Sequence, residues 1–186
     1  FFESNEELLD LYESNPDRYD LLMPSEYIVS QMIRKKQLAR LDHSHIPLIE
    51  NLRDEIMQLE YDPGLRYSLP LFQFALGIAF NDNYLMDFPR GWDILFKHGK
   101  NPFMNFRIAA KKEMRPILGI ALQLLGYSAN TANPNEIDQA RDFLILQREK
   151  IGFELLADDS AKRLIQNEIL LAITWNGSCG YAMSFN

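Results

Sequence analysis

Three short segments of the chain combine aromatic rings, carboxylates and hydroxyls at points where an apolar run meets a helix-like pattern. They are Ser25-Glu26-Tyr27, Lys111-Lys112-Glu113 and Trp175-Asn176-Gly177-Ser178. An aromatic face attracts a cation by about 0.5 to 2 kcal/mol, depending on how dry the contact is. A carboxylate accepts short, charge-assisted hydrogen bonds from an ammonium group. If the three segments meet, they predict a site for an organic ammonium ion.

The same residues also have a purely structural interpretation. Trp175 suits a core position, and Glu113 suits the start of a helix because a negative charge is favoured at that end of the helix dipole. Ser25 suits the cap of an ordinary strand-to-helix turn. The residue types alone leave both interpretations open.

The predicted elements alternate between strands and helices along the chain. The apolar run 21–23, closed by Pro24, predicts a strand buried on both faces, and Ser25 is placed to cap the next helix. Further strands are predicted over residues 67–80, 105–110 and 169–175, and helices over 113–125 and 133–147. This alternation predicts an α/β fold with mostly parallel strands. In such sheets ligands bind beyond the carboxyl ends of the strands, where the three segments lie.

Composition narrows the class of protein. The chain has 186 residues, 47% of them apolar, which is enough for one sizeable core or for parts of two lobes. Its formal net charge of -7 argues against nucleic acid, which requires a basic surface. No apolar run reaches the roughly 18 to 20 residues that a membrane-spanning helix needs. The chain begins and ends inside predicted elements, so we expect it to be part of a longer protein.

Catalytic and metal sites have little support in the sequence. There is no G-x-S-x-G, H-E-x-x-H or Walker A motif. Cys179 lies near a predicted helix N-terminus, which can lower the pKa of a thiol, but the three histidines are remote from it in sequence. His43 and His45 are close together, and no third ligand at a suitable spacing accompanies them.

The chain also resembles the polyamine-binding proteins of bacterial ABC importers, the spermidine/putrescine-binding family. Six segments carry the resemblance in family order: Phe2-Glu3-Ser4-Asn5-Glu6, Tyr19 to Tyr27, Leu41-Asp42-His43-Ser44, Tyr67-Ser68-Leu69-Pro70, Leu124-Leu125-Gly126-Tyr127-Ser128 and Trp175-Asn176-Gly177-Ser178. Together they extend over essentially the whole chain.

The resemblance implies a type II periplasmic-binding-protein fold, with two lobes of mostly parallel sheet around a hinged cleft. Relatives are considerably longer, so the chain is expected to be incomplete at both ends, with residues 1–79 in the first lobe and residues 80–186 in the second. The implied partners are a polyamine and the permease subunits of an ABC transporter, with no nucleic acid, no membrane span in this chain, no cofactor and no enzymatic activity. The implied location is the periplasm, or the cell surface as a lipoprotein.

Site residues are carried over from the family by position. Ser25 and Tyr27 would contact the ammonium end of the ligand from the first lobe, with Glu26 between them. Trp175 would stack on the aliphatic chain from the second lobe. Ser178 matches the spermidine-type version of the same turn.

The second-lobe carboxylates depart from the family pattern. Glu113 falls where one family carboxylate belongs, but Pro116 replaces the other, and Lys112 and Arg115 flank the position. Gln73 stands where relatives often have tryptophan. The ligand could therefore be bound more weakly, be a different amine, or be lost, in which case a ligand sensor or surface interaction protein on the same fold is the alternative.

Overall fold

The computed structural model describes residues 2, 4–85, 90–97, 107–156 and 159–185. Its packing divides the chain into two compact units, Phe1–Gln73 and Phe74–Asn186. The predicted boundary between lobes, at residues 79 and 80, stays a prediction.

The first unit is built from short helices. Its α-helices are α1 (Asn5–Ser14), α2 (Glu26–Arg34) and α3 (Asp54–Met57), and its 3-10 helices are Pro16–Arg18, His43–His45 and Pro47–Asn51. The α1 helix begins after a cap at Ser4, whose Oγ accepts a hydrogen bond from the Glu7 amide at 3.1 Å. Helices α1 and α2 bury Leu8, Ile28 and Met32 against each other, and this cluster is the core of the unit.

The strand predicted over residues 21–23 is wrong. Leu21 exposes 88% of its surface and Met23 exposes 62%, and neither residue is in a ladder. A strand needs a neighbour that satisfies its backbone donors and acceptors, and the described residues of this unit contain no strand.

A buried carboxylate organises the turn after α3. Asp62 is 2% exposed. Its Oδ1 accepts from the Arg66 amide at 3.0 Å, and its Oδ2 accepts from the Tyr67 amide at 3.0 Å and from both the amide and the hydroxyl of Ser68 at 2.9 Å. Gly64 adopts φ +75° in this turn, a conformation that glycine accepts without strain. Pro63 and Gly64 in succession predict a turn here from the sequence, but they do not predict the four hydrogen bonds that hold it.

The second unit contains a four-stranded sheet in the order β1-β4-β2-β3. Its strands are β1 (Leu76–Phe80), β2 (Ile108–Lys111), β3 (Glu154–Leu156) and β4 (Leu171–Trp175). Strand β2 runs parallel to both β3 and β4, and β1 runs antiparallel to β4. The predicted strand over residues 67–80 is thus confined to its last five residues. Of the strand predicted over residues 105–110, positions 105 and 106 lie outside the described residues.

Five helices are described in the second unit: α4 (Ile94–Lys97), α5 (Met114–Leu124), α6 (Pro134–Ile151), α7 (Ser160–Ile165) and α8 (Asn176–Met183). Helices α5 and α6 pack through buried Ala121, Leu122 and Ala140. The α6 helix begins as predicted, because the Asn133 side chain accepts from the Asn135 amide at 3.0 Å. Residues 170 to 173, at the start of β4, are each at most 1% exposed. Strand β4 is therefore the centre of the core.

Candidate functional site

One edge of the second-unit sheet collects the ends of several elements. Strands β2 and β4 are parallel neighbours, with Ala110 opposite Ile173, so both end at this edge and lead into α5 and α8. Strand β1 is antiparallel to β4, with Leu76 opposite Trp175, so β1 begins where β4 ends. The residues just before β1 and just after β2 and β4 therefore lie at the same edge.

Glu113 and Trp175, two of the predicted site residues, meet at this edge. The indole Nε1–H of Trp175 donates a hydrogen bond to Glu113 Oε1 at 3.0 Å, although the residues are 62 positions apart. Both side chains are partly buried. The bond fixes the orientation of the indole plane, and the carboxylate keeps the acceptor capacity of its second oxygen. The pair thus presents an aromatic face beside a negative charge.

The backbone before α5 is held in a tight turn. The Glu113 amide donates to the Lys111 carbonyl at 2.8 Å, and the Lys112 amide donates to the Leu156 carbonyl of β3 at 2.7 Å. The Lys112 side chain is exposed. Arg115, the other flanking cation, donates from Nη2 to Asn130 Oδ1 at 3.2 Å, in the loop after α5. The turn positions Glu113 and directs one cation to a defined partner.

Asn176 joins the start of α8 to the segment before β1. Its amide donates to the Ala75 carbonyl at 2.8 Å, and its Oδ1 accepts from the Ala75 amide at 3.2 Å. The ring of Phe74 then lies beside Trp175, with centroids 6.1 Å apart and planes inclined at 48°. Ser178, partly buried, lies in the first turn of α8. The position of Phe74 at this edge could not be predicted from residue types, which do not reveal that β1 is antiparallel to β4.

The remaining predicted site residues lie at the start of α2 in the first unit. Ser25 occupies the cap position, but the prediction that its side chain caps α2 is wrong. Its Oγ instead accepts from Asn5 Nδ2, and its amide donates to Asn5 Oδ1, both at 2.9 Å. The Tyr27 hydroxyl donates to Glu6 Oε1 at 3.2 Å, and Glu26 is exposed. Sequence reasoning missed Asn5 and Glu6 as supports, since nothing local links α1 to α2.

Two titratable groups near these segments have shifted pKa values. Burial raises the pKa of the Tyr61 phenol, and the carboxylates of Glu26 and Asp62 raise it further. Burial also raises the pKa of the Cys179 thiol, which opposes the lowering expected near a helix N-terminus. Within the described ranges, no group of three or more His, Cys, Asp or Glu side chains is arranged to hold a metal ion. His43 Nε2 instead lies 2.7 Å from the Leu65 carbonyl.

Comparison with known proteins finds relatives that are named as spermidine- or putrescine-binding proteins. The spermidine/putrescine-binding periplasmic protein 1 of Haemophilus influenzae is 35% identical over 161 residues, which cover 86% of this chain and 43% of the relative. This chain resembles the spermidine/putrescine-binding family, as predicted. The solved spermidine/putrescine ABC transporter substrate-binding protein of Streptococcus pneumoniae matches all of the chain and 56% of its own length, with 31% identity and a TM-score of 0.74. The TpPotD lipoprotein of Treponema pallidum matches 94% of the chain and 54% of its own length, with 29% identity and a TM-score of 0.81.

The predicted family resemblance and the predicted fold class are thereby confirmed. The chain has the α/β, mostly parallel fold of a type II periplasmic binding protein, and it spans about half the length of the relatives it matches. No protein-family model matches it. Across the part of the chain that the structure describes, no helix is long and apolar enough to span a membrane. The roles of the six predicted site residues stay predictions.

Proposed function

We propose that the full-length protein is an extracytoplasmic solute-binding protein that captures a polyamine, spermidine or putrescine, and delivers it to an ABC permease. The hydrogen-bonded pair of Glu113 and Trp175 is the observation that carries this proposal. Its carboxylate and its aromatic face are the two groups that an alkyl ammonium ion requires side by side. The names of the relatives, which describe spermidine and putrescine binding, point to the same ligand class.

The three proposed site residues of the second unit, Glu113, Trp175 and Ser178, each have a distinct role. The second oxygen of Glu113 accepts a hydrogen bond from a ligand ammonium group, while its first oxygen stays on the indole. The face of Trp175 stacks on the methylene chain. Ser178, in the first turn of α8, offers a hydroxyl at the same edge. Exclusion of water on closure would strengthen each of these electrostatic contacts.

Residues of the predicted first lobe would contact the same ligand in the full-length protein. We assign residues 1–79 to the first lobe and residues 80–186 to the second, with the ligand in the cleft of the full-length protein. Ser25 and Tyr27 would bind a second nitrogen of the ligand, and Glu26 would contribute negative charge. Asn5 and Glu6 hold Ser25 and Tyr27 in place through the hydrogen bonds described above.

Transport rather than catalysis fits the chemistry of the chain. The relatives are named as binding and transport proteins. Cys179 has a pKa raised by burial, so its thiol is protonated and weakly nucleophilic at neutral pH. We propose that the protein has no enzymatic activity, and that it acts in the periplasm or as a lipid-anchored protein at the cell surface.

Isothermal titration calorimetry on the full-length protein tests the polyamine assignment. Spermidine and putrescine are expected to bind, while 1,4-butanediol, which has the length of putrescine without its charges, is expected to give no binding heat. The absence of binding by both amines would reject the proposal. Equal binding of the diol would reject the ammonium contacts on which it depends.

A sensor or surface interaction protein on the same fold is the second candidate. It is favoured by the flanking cations Lys112 and Arg115 and by Pro116, which stands where the family resemblance implies a carboxylate. This candidate predicts no amine binding at all by the wild-type protein. The calorimetric titration therefore separates the two candidates. If the wild type binds no amine, binding by Lys112→Ser would show that the Lys112 charge repels the ligand, and no binding by that variant would show that the site itself is lost.

A further inference from the structure

Phe74 is exposed next to a pair of proposed ligand-binding residues. It exposes 61% of its surface. Its ring centroid lies 6.1 Å from that of Trp175, with the planes inclined at 48°. This distance is within the range of interacting aromatic pairs, so the two rings form one continuous π-rich surface.

The backbone holds Phe74 at this position. The next residue, Ala75, exchanges two hydrogen bonds with Asn176, and Leu76 pairs with Trp175 in the β1–β4 ladder. Since these contacts tie the start of β1 directly to the end of β4, the Phe74 side chain begins from a fixed point beside the indole. Because the backbone is already fixed, a ligand that covers the ring has only the side-chain torsions of Phe74 left to order.

A carboxylate and two rings thus follow one another along this edge. Glu113 bonds to the indole of Trp175, and the indole neighbours the phenyl ring of Phe74. We propose that Phe74 is a further ligand-contacting residue, which extends the aromatic surface for a linear alkyl amine anchored at Glu113. This inference rests on the proposed function. A site that includes Phe74 would favour an extended amine over a compact one, because only a chain that passes Trp175 reaches the Phe74 ring.

Calorimetry with spermidine on three full-length variants tests the inference. Phe74→Ala removes the ring, and Phe74→Leu keeps an apolar side chain without a π face. Phe72→Ala is the matched control, since Phe72 is also a phenylalanine, lies two residues earlier and exposes 66% of its surface. We expect Phe74→Ala to weaken spermidine binding about 2- to 30-fold, the range of a cation–π contact, Phe74→Leu to weaken it less, and Phe72→Ala to leave the affinity within about twofold.

The outcomes separate this inference from the proposed function. Wild-type binding with unchanged affinity in Phe74→Ala would overturn the role of Phe74 and leave the proposed function standing. Equal losses in Phe74→Ala and Phe72→Ala would also overturn it, because the effect would not be specific to the ring beside Trp175. Absence of binding by the wild type would overturn both. Circular dichroism and thermal unfolding check each variant; if Phe74→Ala does not fold, Phe74→Leu decides, and an unchanged affinity in that variant contradicts a π contact.

Discussion

Replacing Glu113 by glutamine removes one charge from the proposed site and preserves its geometry. The Trp175 indole donates to a single carboxylate oxygen at 3.0 Å. The amide oxygen of glutamine can accept the same bond, so the indole is expected to keep its orientation. What the substitution removes is the negative charge available to the ligand ammonium group. The variant therefore measures the electrostatic contribution of Glu113 separately from its structural one.

The expected magnitude follows from the burial of the carboxylate. A hydrogen bond to a charged group contributes about 1.5 to 3 kcal/mol. Glu113 is only partly buried, so solvent screens part of the interaction and the lower part of that range applies. We expect a loss of about 1.5 to 2 kcal/mol, or about 12- to 30-fold in the dissociation constant at 25 °C.

Calorimetric titration of the full-length protein with spermidine provides the assay. Glu149→Gln is the matched control, because it removes the same charge from an exposed position on α6. Its affinity is expected to stay within about twofold of the wild type, as long-range effects between exposed charges are screened. If Glu113→Gln and Glu149→Gln bind spermidine equally well, the reasoning about Glu113 is refuted.

Four further outcomes are expected. Trp175→Ala should weaken spermidine binding by about 1 to 3 kcal/mol in calorimetry, since it removes both the aromatic face and the hydrogen-bond donor that orients Glu113; unchanged affinity would mean that the site is misplaced. Asp62→Asn should lower the free energy of urea unfolding by about 2 to 4 kcal/mol, because an amide NH₂ would face buried donors of the turn; a loss below about 0.5 kcal/mol would contradict the carboxylate's role. Tyr61 has a raised pKa in the folded protein, so its contribution to the free energy of unfolding is complete below its ordinary pKa of about 10 and is lost as pH rises above that value. In Tyr61→Phe the free energy of unfolding should therefore decline less steeply above pH 10 than in the wild type, and an identical decline would contradict the raised pKa. Cys179 should react with iodoacetamide at pH 7.5 more slowly than glutathione under native conditions, because burial raises its thiol pKa; a faster reaction would show an activated thiolate.

Elements with a local signal could be predicted from the sequence. Helix α6 begins after a capping asparagine followed by proline, which is a short-range feature. Its predicted end is residue 147, whereas the helix ends at Ile151, before Gly152 at φ +65°. The turn at Asp62 follows from proline and glycine in succession. Family segments in order gave the family and the fold class. In each case the deciding residues are close together in sequence.

What could not be predicted depends on residues distant in sequence. The apolar run at residues 21–23 looks like a strand, but strand formation requires a partner, and in the described part of this unit none is present. Phe74 joins Trp175 only because β1 is antiparallel to β4, which side-chain periodicity does not encode. Ser25 has a suitable side chain for a cap, yet it bonds to Asn5, 20 residues earlier. Local chemistry therefore identified candidate residues, and the fold decided which of them meet.

A crystal structure of the full-length protein with spermidine tests the central claim most directly. The account predicts a ligand nitrogen at about 3 Å from the Glu113 carboxylate, at hydrogen-bond distance. It also predicts methylene groups against the face of Trp175, and Ser25 and Tyr27 at the other end of the ligand. Spermidine bound at a different place, or Trp175 covered by packed apolar side chains of the protein, would contradict it.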